Sequence, residues 1–230
     1  MEKIILSRVT TPRGELQLQQ WAATDSTSQP VYEIIFNGVF LMASYNELSA
    51  KAVATLAIEP LAPERQDMKI LIGGLGIGYT LQAALECGGI RAVDVVEIDK
   101  HIINWAKSFF TELNGKALSD PRVHLIKADL IDYIQKTDKT YDIIILDVDN
   151  GPTMLAMESN QNLYEEPMLS RMKNILTDGG VLTVWAEKES PPFRKRLGEI
   201  FGQSEVITVQ EMDMRSNPSD YFIYRTRAFK

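Results

Sequence analysis

Ile70-Leu71-Ile72-Gly73-Gly74-Leu75-Gly76-Ile77-Gly78-Tyr79-Thr80 begins as an apolar run, passes through four glycines and leads into a helix-forming stretch. A buried strand, a glycine turn and a helix in that order is how open α/β sheets offer backbone to a ligand. Glycine permits the sharp turn and the close approach that a Cβ would block, and the following helix starts with unpaired N–H groups. The same alternation continues downstream. KILIGG (69–74), VDVVEID (93–99), VHLIKAD (123–129), YDIIILDV (141–148) and GVLTVWA (180–186) read as strands. Their near-continuous apolar character predicts strands covered on both faces, as in a parallel sheet. Helical patterns follow at 80–86, 100–110, 131–136, 162–176 and 192–201, by their apolar periodicity. The chain then changes habit: VITVQEMD (206–213) and YFIYRTRAF (221–229) leave no room for a helix between them. They are expected to pair antiparallel.

Upstream of residue 50 the pattern is different. The run at 15–23 alternates apolar and polar residues, and VYEIIFNGVFLMAS (31–44) reads as two strands about Asn37-Gly38. An Asn-Gly pair between apolar runs is a strong hairpin signal. TDSTSQP (24–30) is turn material by composition. A helix is predicted from Leu48 to Leu61, closed by Pro63, since proline cannot continue it. Two domains are therefore expected: a small N-terminal β-hairpin domain, 1–47, and a nucleoside-binding domain, 48–230. The element order of the second is that of the methyltransferase-type Rossmann fold, a doubly wound α/β sheet, mostly parallel, with a terminal antiparallel strand.

Bulk properties exclude several functions. A net charge of −7 argues against nucleic acid, whose binders cluster Lys and Arg. One cysteine, Cys87, allows no internal disulfide and fits a reducing compartment. With His101 and His124 as the only histidines, no zinc-type cluster can be assembled and no metal is expected. The opening MEKIILSRVTTPRGE lacks the apolar run of a signal peptide. No stretch approaches the ~20 apolar residues of a membrane helix. The expectation is a cytoplasmic protein without a membrane partner.

The glycine spacing bears on the ligand. Gly74, Gly76 and Gly78 give G-x-G-x-G, whereas a dinucleotide fingerprint needs glycine where Tyr79 stands. That favours S-adenosylmethionine over NAD, with Gly73, Gly74, Gly76 and Gly78 as cofactor-binding positions. Glu97 follows Gly78 by nineteen positions at the tip of the second strand of this region. There an acid accepts hydrogen bonds from both ribose hydroxyls. Asp129 ends the next strand and has two readings, a ligand for the adenine amino group or an N-cap for the helix at Leu130. Asp99 reads as the N-cap of the helix at Lys100. LDVDNGP (146–152) puts Asp147 and Asp149 at a further strand tip. Two carboxylates there suit a small cationic amine, and one of them, Asp147, is placed to take its proton as general base. A sulfonium donor loses its charge in the transition state, so acids held against sulfur would slow transfer. They belong on the amine side.

These motifs together resemble the spermidine/spermine synthase family of aminopropyltransferases. NGVFLM (37–42) is similar to the family's amino-terminal hairpin, and YNE (45–47) to its Y-x-E element. LIGGLGIG, VVEID, DPRVHLIKAD, YDIIILD and NLYEEPMLSRMKNILTDGGVL are similar to its successive nucleoside-site motifs and the helix and strand beyond. The resemblance implies Glu97 as ribose ligand, Asp129 as adenine ligand and Asp147 as catalytic carboxylate. Tyr45 and Glu47 are implied on the amine side; separately, RSNPSDY (215–221) has two readings, a lid that brings Tyr221 over the site or a plain hairpin loop. It further implies decarboxylated S-adenosylmethionine as donor and a possible homodimer through the hairpin around Phe36 and Phe40. Three departures stand out. The family's aspartate in the glycine loop, which grips the aminopropyl amine, is Gly76. A hairpin glutamine is Leu41. The Asp-Ser-Ser-Asp-Pro loop is Asp147-Val148-Asp149-Asn150-Gly151-Pro152. Three functions stay open: aminopropyl transfer to an amine, methyl transfer from S-adenosylmethionine, and a non-catalytic nucleoside-binding module. Trp185 reads first as a core residue.

Overall fold

A computed structural model describes residues 3–22, 30–155, 157–213 and 216–230. The turn expected at 24–30 lies, except for Pro30, outside the described residues, as does Arg215 of the overhanging stretch.

The N-terminal region is a four-stranded antiparallel meander, in the order β1 (Lys3–Thr11), β2 (Gly14–Trp21), β3 (Val31–Phe36) and β4 (Val39–Ala43). Asn37 and Gly38 carry φ of 49° and 79°, the two positive values that a two-residue hairpin turn of this hand requires. Leu16 and Leu18 on β2 and Ile34 and Phe36 on β3 are buried and join the core of the larger sheet. β1 is the element that sequence reasoning missed. Its register on β2 slips between Ile5 and Ser7, and such a bulge spoils the period-two pattern that announces a strand.

Helix α1 (Glu47–Ile58) lies against the second sheet, where the Thr183 hydroxyl donates to the Val53 carbonyl at 3.1 Å. Then come β5 (Met68–Gly73), α2 (Tyr79–Glu86), β6 (Ile90–Glu97), α3 (Lys100–Lys107), β7 (Val123–Lys127), α4 (Leu130–Lys136), β8 (Tyr141–Leu146), α5 (Glu166–Ile175), β9 (Leu176–Ala186), α6 (Pro191–Phe201), β10 (Glu205–Met212) and β11 (Pro218–Ala228). The seven strands lie in the order β10-β11-β9-β8-β5-β6-β7. Those from β5 to β9 pair in parallel, and β11 runs against both β9 and β10. Successive residues face opposite sides: Ile70 and Ile72 enter one core, with the N-terminal sheet, and Leu71 enters the other. Burial on both faces is why β5, β6, β8 and β9 read as unbroken apolar runs, whereas β7, also expected to be covered on both faces, is an edge strand with no buried residue.

Three helices differ from expectation, the one predicted at 48–61 ending already at Ile58. The helix predicted at 162–176 divides into a 3-10 segment, Glu158–Tyr164, and α5, because Pro167 supplies no amide proton and tolerates only a helix start. The helix predicted at 100–110 ends at Lys107. The Ser108 and Thr111 hydroxyls take the carbonyls of Asn104 and Lys107 beyond that point, a competition with further helical pairing.

Candidate active site

The chain order reverses at β5, with β6 and β7 to one side and β8 and β9 to the other. The crevice beyond the carboxyl ends at such a switch point is where doubly wound sheets hold ligands. A cavity opens there between the two sheets. Its floor is the turn after β5 and the tips of β6 and β8; its roof is the inner face of the N-terminal meander.

Gly74 adopts φ +89°, and a Cβ on it would strike the Asp147 carbonyl oxygen. Glycine is therefore obligatory where the two strand tips come together. Gly76, at φ +51°, faces the Met42 thioether, which lies where a side chain at 76 would project. Gly74 and Gly76 line the cavity; Gly73 and Gly78 do not. Gly73 makes room for the Leu130 side chain, and Gly78 stands against Asn114 at the start of α2.

Glu97 is buried at the end of β6 with its carboxylate turned to the glycine turn. Oε2 accepts the Leu75 N–H at 3.1 Å and Oε1 the Asp99 N–H at 2.8 Å. Burial pushes its pKa up, and the backbone donors work against that shift. Asp99 caps α3, as expected, by accepting from His101 N at 2.7 Å, and its other oxygen accepts from Arg13 Nη2 at 2.8 Å. Asp129 caps α4 through bonds from Ile131 N at 2.8 Å and Asp132 N at 3.3 Å. It does not line the cavity, so of its two readings the structure displays the capping one.

Asp147 and Asp149 both line the cavity from the turn after β8. Asp147 Oδ2 lies 2.5 Å from the Thr80 hydroxyl. Burial raises the Asp147 pKa from 3.8 to about 6, with the Thr80 bond opposing. That is the direction expected of a carboxylate taken out of water with no cation beside it. Asp149 Oδ2 accepts from Asn160 Nδ2 at 2.7 Å. Asn150 Nδ2 donates to the Phe40 carbonyl at 2.9 Å, tying this turn to β4.

Tyr45, Glu47 and Tyr221, expected beside these acids on the amine side, are not gathered into the lining. Tyr45 stacks on Phe40, 6.4 Å between ring centres, and its hydroxyl is pushed up to about 12 by burial and then by Glu33. Glu47 is exposed and pairs with Lys51 at 2.6 Å. Tyr221 stands one layer back: its hydroxyl accepts from Asn46 Nδ2 at 2.7 Å and its ring stacks on Trp185 at 5.3 Å. Asn46 and Trp185 are themselves cavity residues. Trp185, read as core, is both buried and lining. Arg13, Asn46, Thr80 and Asn160 were missed, since no local pattern marks them; only the fold brings them to the strand tips. Among the described residues no group of His, Cys, Asp and Glu could hold a metal ion, and no helix is long and apolar enough to cross a membrane.

The turn, the acid on the second parallel strand and the paired acids at the β8 tip together define a doubly wound α/β protein with an acid-lined crevice at its switch point. The spermine/spermidine synthase domain model matches residues 51–199. The chain belongs to the spermine/spermidine synthase family. It is 31% identical over 156 residues to a polyamine aminopropyltransferase of Prochlorococcus marinus (strain MIT 9215), covering 64% of this chain and 53% of the relative. It is 28% identical over 155 residues to spermidine synthase 2 of Arabidopsis thaliana, covering 67% and 43%. The chain thus spans about half the length of the curated relatives it matches. Among solved structures it is similar to a spermidine synthase in complex with the transition state analogue AdoDATO, with a TM-score of 0.76, 18% identity, and coverage of 97% of this chain and 73% of the other. The Thermotoga maritima spermidine synthase gives 0.74 and 17%, with coverage of 97% and 72%.

Proposed function

We propose that the chain transfers an aminopropyl group from decarboxylated S-adenosylmethionine to a small amine. Residues 48–230 hold the nucleoside, and residues 1–47 close the site from above. The observation that carries this reading is Asp147, a half-buried carboxylate whose pKa desolvation raises to about 6, lining the same cavity as the backbone-anchored Glu97. Family membership supports it.

Each residue has a physical task. Gly74 lets the donor approach the backbone, and Glu97 accepts from the ribose hydroxyls. The donor supplies a carbon activated by positive sulfur. The amine nitrogen forms a bond to that carbon, the carbon–sulfur bond breaks, and its electron pair stays on sulfur as a neutral thioether. The amine enters as a free base, because an ammonium has no lone pair. As the new bond forms, nitrogen sheds a proton to Asp147, which passes it to water. A base whose pKa lies near the working pH performs such transfers best. Asp149, held by Asn160, orients the amine. Alignment of nitrogen, carbon and sulfur provides most of the acceleration, as effective molarities can reach ~10⁵ M or more.

The test is product identity. Incubated with an amine and each donor in turn, the protein is expected to release methylthioadenosine from the decarboxylated donor. Release of S-adenosylhomocysteine from the ordinary donor would make it a methyltransferase. No nucleoside product from either would leave a binding module.

A further inference from the structure

The acids of the cavity are distributed on one side only. Asp147 and Asp149 come from the β8 tip, Glu97 and Asp99 from the β6 tip. The opposite wall is the N-terminal sheet, which presents Leu16, Ile34, Phe36, Leu41 and Met42. Among the described residues, the one charged side chain that this sheet adds to the lining is Arg13, which pairs with Asp99. Trp185 extends the apolar surface at the end of β9. Acids that would meet a second positive charge are engaged elsewhere. Glu47 holds Lys51 on the surface, Glu33 accepts from Gln19 and Trp21, and Glu211 accepts from Leu48 N and the Ser49 hydroxyl. None of the three lines the cavity. At Gly76 no side chain enters at all, and the Met42 thioether fills the approach.

We infer that the acceptor is a monoamine with an apolar body, its nitrogen at Asp147 and its far end against the N-terminal sheet. This rests on the transferase reading given above. At Asp147 and Asp149 the one charge that a monoamine develops on alkylation is met by carboxylates where it arises. A diamine would carry its second ammonium to the apolar wall, out of water and without a carboxylate, which is strongly unfavourable. A hydrocarbon end gains there what the ammonium loses, in proportion to the apolar area removed from water.

Hexylamine and the hexane diamine with a second amino group at its far end differ only in that terminal charge. The full chain, saturated with methylthioadenosine, is titrated with each by calorimetry, and turnover of each is measured with the decarboxylated donor. Hexylamine is expected to bind about tenfold or more tighter, a conservative figure for burying several methylenes rather than a charge. Met42→Glu, which puts a carboxylate in the apolar wall, should reverse the order. Equal or tighter binding of the diamine by the unaltered protein overturns the inference, and so does binding of neither amine. Tight hexylamine binding without any nucleoside product upholds the monoamine site and defeats the transferase reading instead.

Discussion

The Thr80 hydroxyl stands 2.5 Å from Asp147 Oδ2 and 3.0 Å from the Ala50 carbonyl oxygen. One hydroxyl proton cannot be given to both acceptors. With Asp147 ionised, Thr80 donates to the carboxylate. When Asp147 takes a proton, it donates to Thr80, whose own hydrogen then turns to Ala50. A proton can therefore arrive and leave with no displacement of heavy atoms, which suits a general base.

Activity should rise with pH through an ionisation near about 6. Thr80→Val removes the one bond that lowers the Asp147 pKa. Hydrogen bonds to charged groups are worth about 1.5–3 kcal/mol, so the acidic limb should move up by about one to two pH units. A pH–rate profile of the variant checks this; an unmoved limb would mean that another group titrates.

Asp147 also has a cost in stability. Its folded pKa, raised to about 6, exceeds the ordinary 3.8. Between those values the folded chain holds a proton that the unfolded chain has released, so stability falls as pH rises through that window. Asp147→Asn should therefore be more stable than the parent above pH about 6, by up to about 3 kcal/mol at one unit per 1.4 kcal/mol, and equal to it near pH 3. Its turnover should drop by about 10²–10⁴. Denaturant melts at both pH values, beside a rate assay, give the answer.

The two lining glycines should respond differently to alanine. At Gly74 the new Cβ meets main-chain oxygen at a left-handed φ. Backbone cannot yield, and the conformation alone costs about 1–2 kcal/mol. At Gly76 the obstacle is the end of the flexible Met42 side chain, so only the backbone term remains. Gly74→Ala should lower Tm more and abolish nucleoside binding, whereas Gly76→Ala should retain it. Thermal melts with and without methylthioadenosine separate the two.

Sequence reasoning reached the large sheet because its inner strands β5, β6, β8 and β9 are buried on both faces and its helices follow glycines or caps. Asp99 was readable as a cap for that reason, since the local geometry of a strand-to-helix turn is written in adjacent residues. Asp129 was ambiguous, because capping and ligand binding use the same carboxylate at the same strand end. β1 was illegible because its bulge breaks the alternation. The cavity's roof was illegible for a different reason. Leu16, Ile34 and Met42 look like ordinary strand residues, and Tyr45, Glu47 and Tyr221 like site residues, until the meander folds over β5. That step depends on long-range contacts such as Asn150 with Phe40 and Arg13 with Asp99.

Titration of methylthioadenosine into the protein and into Glu97→Gln tests the cradle itself. Both Glu97 oxygens are fixed by backbone donors, and under the proposed function that presets the acid for the ribose. The parent should bind, and the variant should bind about ten- to a hundredfold more weakly, the loss of one charge-assisted pair. Equal affinity in the two proteins, or no affinity in either, would contradict the account.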